Sequence, residues 1–185
     1  VAIHSAETGR TVRVLRGHSR AVLAVAFLPD DIGLVSAGID ESLRLWNSQS
    51  GNLERTLSNH TRAVLGLSVR PAADPTARQA PPIVASISSD RTVRLWQPTI
   101  GRMMRFARLP SPPLSLAWTR DGAVIVTACR DGRLRVIDPS TVEILEDLPA
   151  LDGVAHSLAV APDGTILVGG ENGQLRRVRL GAKTP

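Results

Sequence analysis

The chain has 185 residues, of which 43% are hydrophobic and 21% charged, and its formal net charge is +5. This composition is that of a globular protein and excludes disorder as a description of the whole chain. No apolar run approaches the ~18 residues of a membrane-spanning helix, and the single cysteine, Cys129, excludes an internal disulfide framework and a multi-cysteine metal site.

Short strands are predicted from the first residues onward. Residues 1–5 and 11–15 are predicted as the last two strands of an incomplete unit, joined by a turn that contains Gly9. Four further strands follow, at 21–27, 34–38, 42–46 and 53–57. The third of these alternates polar and apolar residues, and the fourth is more polar, as is typical of an outer edge strand.

This pattern of strands repeats along the chain. Ser42–Trp46 recurs as Thr92–Trp96, and more faintly at 133–137 and 174–178, with spacings of 50, 41 and 41 residues. The longer first spacing is explained by an insertion at Pro71–Pro82, rich in Pro and Ala. Four strands in a unit of ~41 residues, joined by tight Asp-Gly and Asn-Gly turns, are typical of a β-propeller blade.

Four polar or aromatic positions keep a constant register in these units. The first unit has His18, Ser36, Asp40 and Trp46, and the second has His60, Ser86, Asp90 and Trp96. The third unit keeps Thr127 and Asp131 but has Leu109 and Ile137 at the other two positions, and in the fourth unit Asn172 replaces the aspartate. An arginine follows four residues after the turn residue in every unit, at Arg44, Arg94, Arg135 and Arg176.

Serine, histidine and aspartate together suggest a hydrolase triad. A catalytic site is needed once, however, whereas this set occurs twice in register and decays in the other units. The chain also lacks a Gly-x-Ser-x-Gly elbow. We therefore predict no enzyme, no cofactor and no metal. For the repeated arginines we predict a structural role, in which the aliphatic stem packs and the head reaches water or a carboxylate.

These motifs resemble the WD40-repeat β-propeller family over nearly the whole chain, most closely in the first two units. The dipeptide that gives the family its name is imperfect, as Trp46-Asn47 and Trp96-Gln97. The resemblance implies an all-β fold of four blades' worth of four-stranded antiparallel sheets. It also implies that His, Ser or Thr, Asp and Trp form a buried hydrogen-bonded chain within each blade.

The repeats predict one WD40-repeat region over 1–185. Its parts are an outer strand with repeat 1 at 10–57, repeat 2 at 58–108 with the insertion at 71–82, repeat 3 at 109–149, and repeat 4 at 150–180 without an outer strand. Repeat 4 lacks an outer strand, and the front of the chain has an extra one. We therefore expect strands from both ends of the chain to close the propeller. Because residues 1–5 have no place in a four-blade count, we favour a piece of a larger propeller. A closed four-blade ring and two copies completing one ring are the alternatives, which molecular mass in solution would distinguish.

The resemblance implies a non-catalytic, cytoplasmic scaffold for protein–protein contacts, within a larger multidomain protein. The alternative is a regulatory or sensor module of a signalling ATPase or kinase whose catalytic domain lies outside this chain. Partners are expected on the face that carries Arg20, Arg62, Arg91 and Glu41, and an acidic segment would suit the arginines. Three Trp, two Phe and no Tyr offer little for stacking bases and argue against nucleic acid as the partner. No membrane partner is indicated.

Overall fold

The computed structural model describes residues 1–71 and 81–180. Within these ranges the chain forms seventeen strands and one 3₁₀ turn at Glu171–Gly173. The strands make five antiparallel sheets. No described helix is long and apolar enough to cross a membrane.

The sheets follow one another in chain order. The N-terminal sheet pairs β1 (Ala2–His4) with β2 (Thr11–Val14). Blade 1 consists of β3 (Val22–Phe27), β4 (Gly33–Gly38), β5 (Leu43–Asn47) and β6 (Leu53–Leu57). Blade 2 consists of β7 (Val64–Val69), β8 (Val84–Ser88), β9 (Thr92–Gln97) and β10 (Arg102–Arg108).

The last two blades have the same order of strands. Blade 3 consists of β11 (Pro113–Trp118), β12 (Ile125–Cys129), β13 (Arg133–Ile137) and β14 (Ile144–Pro149). Blade 4 has three strands, β15 (Ala155–Val160), β16 (Thr165–Gly170) and β17 (Leu175–Arg179). The predicted all-β class with four-stranded antiparallel sheets is therefore confirmed.

Each blade packs face to face on the next, so its middle strands are covered on both sides. The second strands β4, β8 and β12 are buried along their whole length. This explains why they consist of small and apolar residues instead of alternating with polar ones. Separate apolar clusters fill the successive interfaces. One lies between blades 1 and 2 around Leu45 and Trp96, one between blades 2 and 3 around Leu95 and Ile125, and one between blades 3 and 4 around Val126 and Ile166.

The N-terminal strands confirm one sequence prediction and overturn another. β2 pairs with β1, as expected for the last two strands of an incomplete unit, but it does not also complete the last sheet, and blade 4 has three strands within the described residues. The N-terminal sheet instead packs on blade 1, where Ile3 and Leu15 meet Leu34 and Trp46. It occupies the position of an incomplete blade that precedes blade 1. Most of the predicted insertion at 71–82 lies outside the described residues.

Candidate functional site

Two hydrogen-bonded chains of four side chains link the strands of blades 1 and 2. In blade 2, the indole Nε1 of Trp96 is 2.8 Å from Ser86 Oγ, which is 2.7 Å from His60 Nε2. His60 Nδ1 is 2.8 Å from a carboxylate oxygen of Asp90. Blade 1 has the same distances from Trp46 through Ser36 and His18 to Asp40. The structure thus brings together all eight residues of the first two sets.

The donor and acceptor roles in this set of four side chains follow from the indole N–H, which can only donate. Ser86 Oγ thus accepts from Trp96 and gives its own hydrogen to His60 Nε2. The imidazole therefore carries its hydrogen on Nδ1 and donates it to the Asp90 carboxylate. Each polar group in this set of four side chains therefore has a hydrogen-bond partner, as burial within a stack of sheets requires.

The same arrangement leaves the serines unsuited to nucleophilic catalysis. Ser36 and Ser86 are fully buried, and each Oγ is engaged by both an indole and an imidazole. A substrate carbonyl therefore has no approach to either hydroxyl. Within the described residues, no group of His, Cys, Asp and Glu side chains is arranged to hold a metal ion.

The turn aspartates also hold the loop that precedes each inner strand. Asp40 accepts from the backbone N–H of Ser19 at 3.2 Å, and Asp90 accepts from that of Thr61 at the same distance. The residues two positions after these aspartates add further bonds, from Ser42 Oγ at 3.0 Å and Thr92 Oγ1 at 2.6 Å. Our sequence reasoning missed these two hydroxyls, although the motif Asp-x-Ser/Thr signals such a turn.

Hydrogen bonds and burial shift the pKa values of the aspartate and the histidine in blade 2. Burial alone would raise the pKa of Asp90, but the bonds from Thr92 and His60 outweigh it and hold that pKa at about 2. Burial lowers the pKa of His60 below its ordinary 6.5, against the opposing effect of the Asp90 carboxylate. The folded blade thus favours a neutral histidine beside an ionised aspartate.

We expect acid to destabilise the fold in two steps. A depressed histidine pKa means that stability is lost as the pH falls below 6.5, because the unfolded chain binds the proton more readily. The contribution of Asp90 is present above pH 3.8 and is lost as the pH falls towards 2. Urea unfolding at pH 7, 5.5 and 3 measures both steps. In His60→Asn, which does not titrate, the fall in unfolding free energy between pH 7 and 5.5 should shrink, and an unchanged fall would contradict this account.

Blade 3 differs from the predicted chain of Thr127 and Asp131. Among the described contacts these two side chains do not bond to each other. Thr127 Oγ1 donates to the carbonyl of Arg135 at 3.3 Å. Asp131 instead accepts two hydrogen bonds from Arg135, at 3.1 and 2.7 Å. The physical reason is the missing histidine, because Leu109 leaves the carboxylate accessible to the arginine on the next strand.

The repeated arginine therefore has three different environments. In blades 1 and 2, where histidine occupies the carboxylate, Arg44 and Arg94 lie 3.9 and 3.8 Å from Asp40 and Asp90. In blade 3 the buried Arg135 also lies 3.3 Å from Asp147 of the outer strand. Burial alone would lower the pKa of Arg135, but the bonds to Asp131 outweigh it and raise that pKa. Arg176 in blade 4 donates to the carbonyl of Ala150 at 3.0 Å.

The residues predicted for the partner face are exposed and lie in the loops that the aspartates hold. Arg20 follows Ser19, and Glu41 follows Asp40, so both flank the hydrogen-bonded chain of blade 1. Arg62 and Arg91 take the same positions in blade 2, and all four side chains are exposed. None of them takes part in an ion pair within 4 Å among the described residues.

Comparison with known proteins gives a family model and several relatives. The model described as WD domain, G-beta repeat, matches residues 9–47, 51–97 and 109–138. Coronin-7 from Rattus norvegicus is 34% identical over 162 residues, which cover 85% of this chain but only 18% of that protein. THO complex subunit 3 from Arabidopsis thaliana is 28% identical over 126 residues, covering 68% of this chain and 39% of that protein.

A solved structure has the same arrangement of sheets. The crystal structure of the computationally designed Ika4 protein matches with a TM-score of 0.75 and 24% identity, covering 91% of this chain and 96% of that one. This likeness concerns the fold alone.

Proposed function

We propose that this chain is a non-catalytic scaffold, because it belongs to the WD40 family (WD domain, G-beta repeat), whose members generally bind other proteins. Its partners would meet the face formed by Arg20, Arg62, Arg91 and Glu41, here called the loop face. The three arginines and the scarcity of counter-charges around them suit an acidic segment. The name of the relative THO complex subunit 3 places that protein in an assembly, in keeping with a scaffold role.

The loop face is rigid at the points that carry the arginines. Asp40 and Asp90 hold the backbone beside Arg20 and Arg62. The carbonyl of Arg62 additionally accepts from Ser88 Oγ at 3.0 Å. Loops that are already ordered lose little entropy when a partner binds, so more of the contact energy remains as affinity.

The observation that carries the proposal is the backbone conformation of Glu41 and Arg91. Their φ angles are 65° and 66°, in the left-handed region that favours glycine, and blade 3 has Gly132 at the same position of the turn. A charged residue held there costs about 1 kcal/mol relative to glycine. Asp31, Val142 and Asn172 also have positive φ angles, but Glu41 and Arg91 take the same turn position in successive blades of the loop face. Because residues kept in unfavourable conformations concentrate at functional sites, this repetition supports a role in binding for both side chains.

We expect Arg91→Gly to separate stability from binding. The substitution removes the strained side chain, so the unfolding free energy in urea should rise by about 0.5–1 kcal/mol. Recovery of partner proteins in a pull-down should fall, and it should fall further in Arg20→Glu/Arg62→Glu/Arg91→Glu. The matched control is Arg10→Glu/Arg120→Glu/Arg177→Glu, which reverses three exposed arginines elsewhere. Unchanged recovery in the first triple variant would discard the loop face.

We also propose that the chain works within a larger multidomain protein and a larger propeller, in the cytoplasm. Support comes from the inner strand of blade 1, where Leu23, Val25 and Phe27 are 46%, 53% and 51% exposed on the side away from blade 2. Such an apolar row is usually covered by a neighbouring sheet. The chain spans 18% of the length of coronin-7 from rat. A cytoplasmic location is supported by the absence of disulfides, since the one cysteine is buried and free.

A further inference from the structure

The outer strand of blade 2 has an edge that nothing covers among the described residues. β10 is the seven-residue strand Arg102–Arg108, and it is the outermost strand of its sheet, paired with β9 alone. Its free side therefore presents a row of backbone N–H and C=O groups. Such an edge can accept an additional strand from another chain.

The arginine side chains along this edge, Arg102, Arg105 and Arg108, are exposed, and no acidic residue lies on the strand itself. No ion pair within 4 Å among the described residues involves any of the three. The strand thus favours a negatively charged neighbour.

The register of β10 places its arginines on both faces of the sheet. Arg105 lies opposite Leu95, on the side of blade 3, whereas Phe106 lies opposite Arg94 and Arg108 opposite Thr92, on the side of blade 1. Phe106 is 44% exposed, and the guanidinium of Arg94 lies 5.1 Å from its ring centroid. Read backwards from Arg108 to Arg105, β10 presents to an added strand a cation, a small residue, an aromatic ring and a second cation.

Blade 3 contains an example of the pairing that such an edge would use. There the outer strand β14 is acidic, and its neighbour β13 carries Arg133 and Arg135. Arg133 and Arg135 both form ion pairs with Asp147 of β14, at 2.5 and 3.3 Å. Strand pairing and charge pairing thus reinforce each other within this chain.

We propose that the free edge of β10 binds an extended acidic segment of a partner protein by strand addition. In an antiparallel register the segment has carboxylates three residues apart, opposite Arg108 and Arg105, and an apolar residue between them opposite Phe106. This side edge meets the loop face only at its Arg108 end, where Arg108 pairs with Thr92 and the N–H of Leu109 donates to the carbonyl of Arg91. A backbone ladder requires a polypeptide, which distinguishes this partner from nucleic acid.

The sequence of β14 and the residues before it supplies a suitable probe. Glu143-Ile144-Leu145-Glu146 has the required order of acidic and apolar residues. A fluorescent nonapeptide with the sequence of residues 141–149 should bind the full chain in an anisotropy titration. The same peptide with lysine in place of both glutamates should not bind. A version N-methylated at alternate backbone positions should bind weakly, because it cannot complete the ladder.

Variants of the protein locate the binding site. We expect Arg105→Glu/Arg108→Glu to weaken binding about tenfold, equivalent to about 1.4 kcal/mol. Arg120→Glu/Arg130→Glu changes the net charge equally and should have little effect. Arg20→Glu/Arg62→Glu, which leaves Arg91 beside the edge intact, should leave peptide binding unchanged, and this separates the proposal from the loop face. Circular dichroism confirms that each variant is folded.

Three outcomes would overturn the proposal. Absence of peptide binding would mean that the arginines only protect the edge from unwanted pairing. Equal binding of the N-methylated peptide, or of a single-stranded oligonucleotide of the same charge, would reduce the edge to a general polyanion surface. Sedimentation showing that full chains associate, and that the peptide competes with this association, would assign the edge to a second copy instead of a partner protein.

Discussion

Asp90→Ala should destabilise the protein by about 3–5 kcal/mol. Asp90 accepts hydrogen bonds from His60 Nδ1, from Thr92 Oγ1 and N, and from the backbone of Thr61. The His60 side chain has no exposed surface, so loss of the carboxylate leaves its buried N–H with only the distant Thr92 Oγ1, 3.4 Å away, as an acceptor. The free energy of unfolding of a domain is commonly only about 5–15 kcal/mol, so this one substitution removes a large part of it. Urea unfolding measures the loss.

Asp131→Ala is the informative comparison for this experiment. Asp131 is one-third exposed, and its partner Arg135 would keep Asp147 at 3.3 Å. We expect a loss of about 1–2 kcal/mol for this variant. Asp121→Ala, in an exposed turn, controls for removal of a turn carboxylate. Equal and negligible changes in all three variants would refute a stabilising role for the hydrogen-bonded chain.

Gly132→Ala should cost about 2–4 kcal/mol, because both space and backbone conformation oppose it. Gly132 has φ +75°, and a Cβ atom there would lie 2.3 Å from the carbonyl oxygen of Leu151 and 2.4 Å from that of Gly153. These are backbone atoms, so no side-chain rotation relieves the contact. The carbonyl of Gly132 also accepts from the N–H groups of Ala150 and Leu151, and the clash would therefore disturb the link between blades 3 and 4.

Gly164→Ala separates these two contributions. Its φ is +79°, but nothing lies within 4 Å of the position that a Cβ atom would take, so only the backbone strain of about 1 kcal/mol remains. Thermal melts should show a clearly larger loss for Gly132→Ala. Similar losses in the two variants would mean that the loop at 151–153 moves aside without cost.

The two proposed surfaces place different demands on a partner. The loop face offers separate arginine side chains on loops that hydrogen bonds hold in place, which suits recognition by side chains. The edge of β10 offers a backbone ladder, which suits an extended segment of suitable charge. One acidic partner could be tested against both surfaces with the same sets of variants, because the substituted residues do not overlap.

Much of the fold could be predicted because each blade is a local unit. Strands that follow one another pair through short turns, and short loops cost little entropy to close. The spacing of Trp46, Trp96 and the turn aspartates therefore predicted which strands share a sheet. The same register predicted the two hydrogen-bonded sets that contain His18 and His60, because the indole, hydroxyl, imidazole and carboxylate groups can be linked by hydrogen bonds in only one order.

Other contacts depended on which surfaces meet in space. The sequence alone determined that the chain consists of repeated four-stranded units with polar chains in the first two. Only the tertiary structure decided that β2 does not also join the last sheet: the turn at residues 5–10 brings it to β1, whereas β17 lies some 160 residues further along the chain. It also decided that Asp131 pairs with Arg135, because a carboxylate binds whichever donor the packing brings within reach, and Leu109 supplies none.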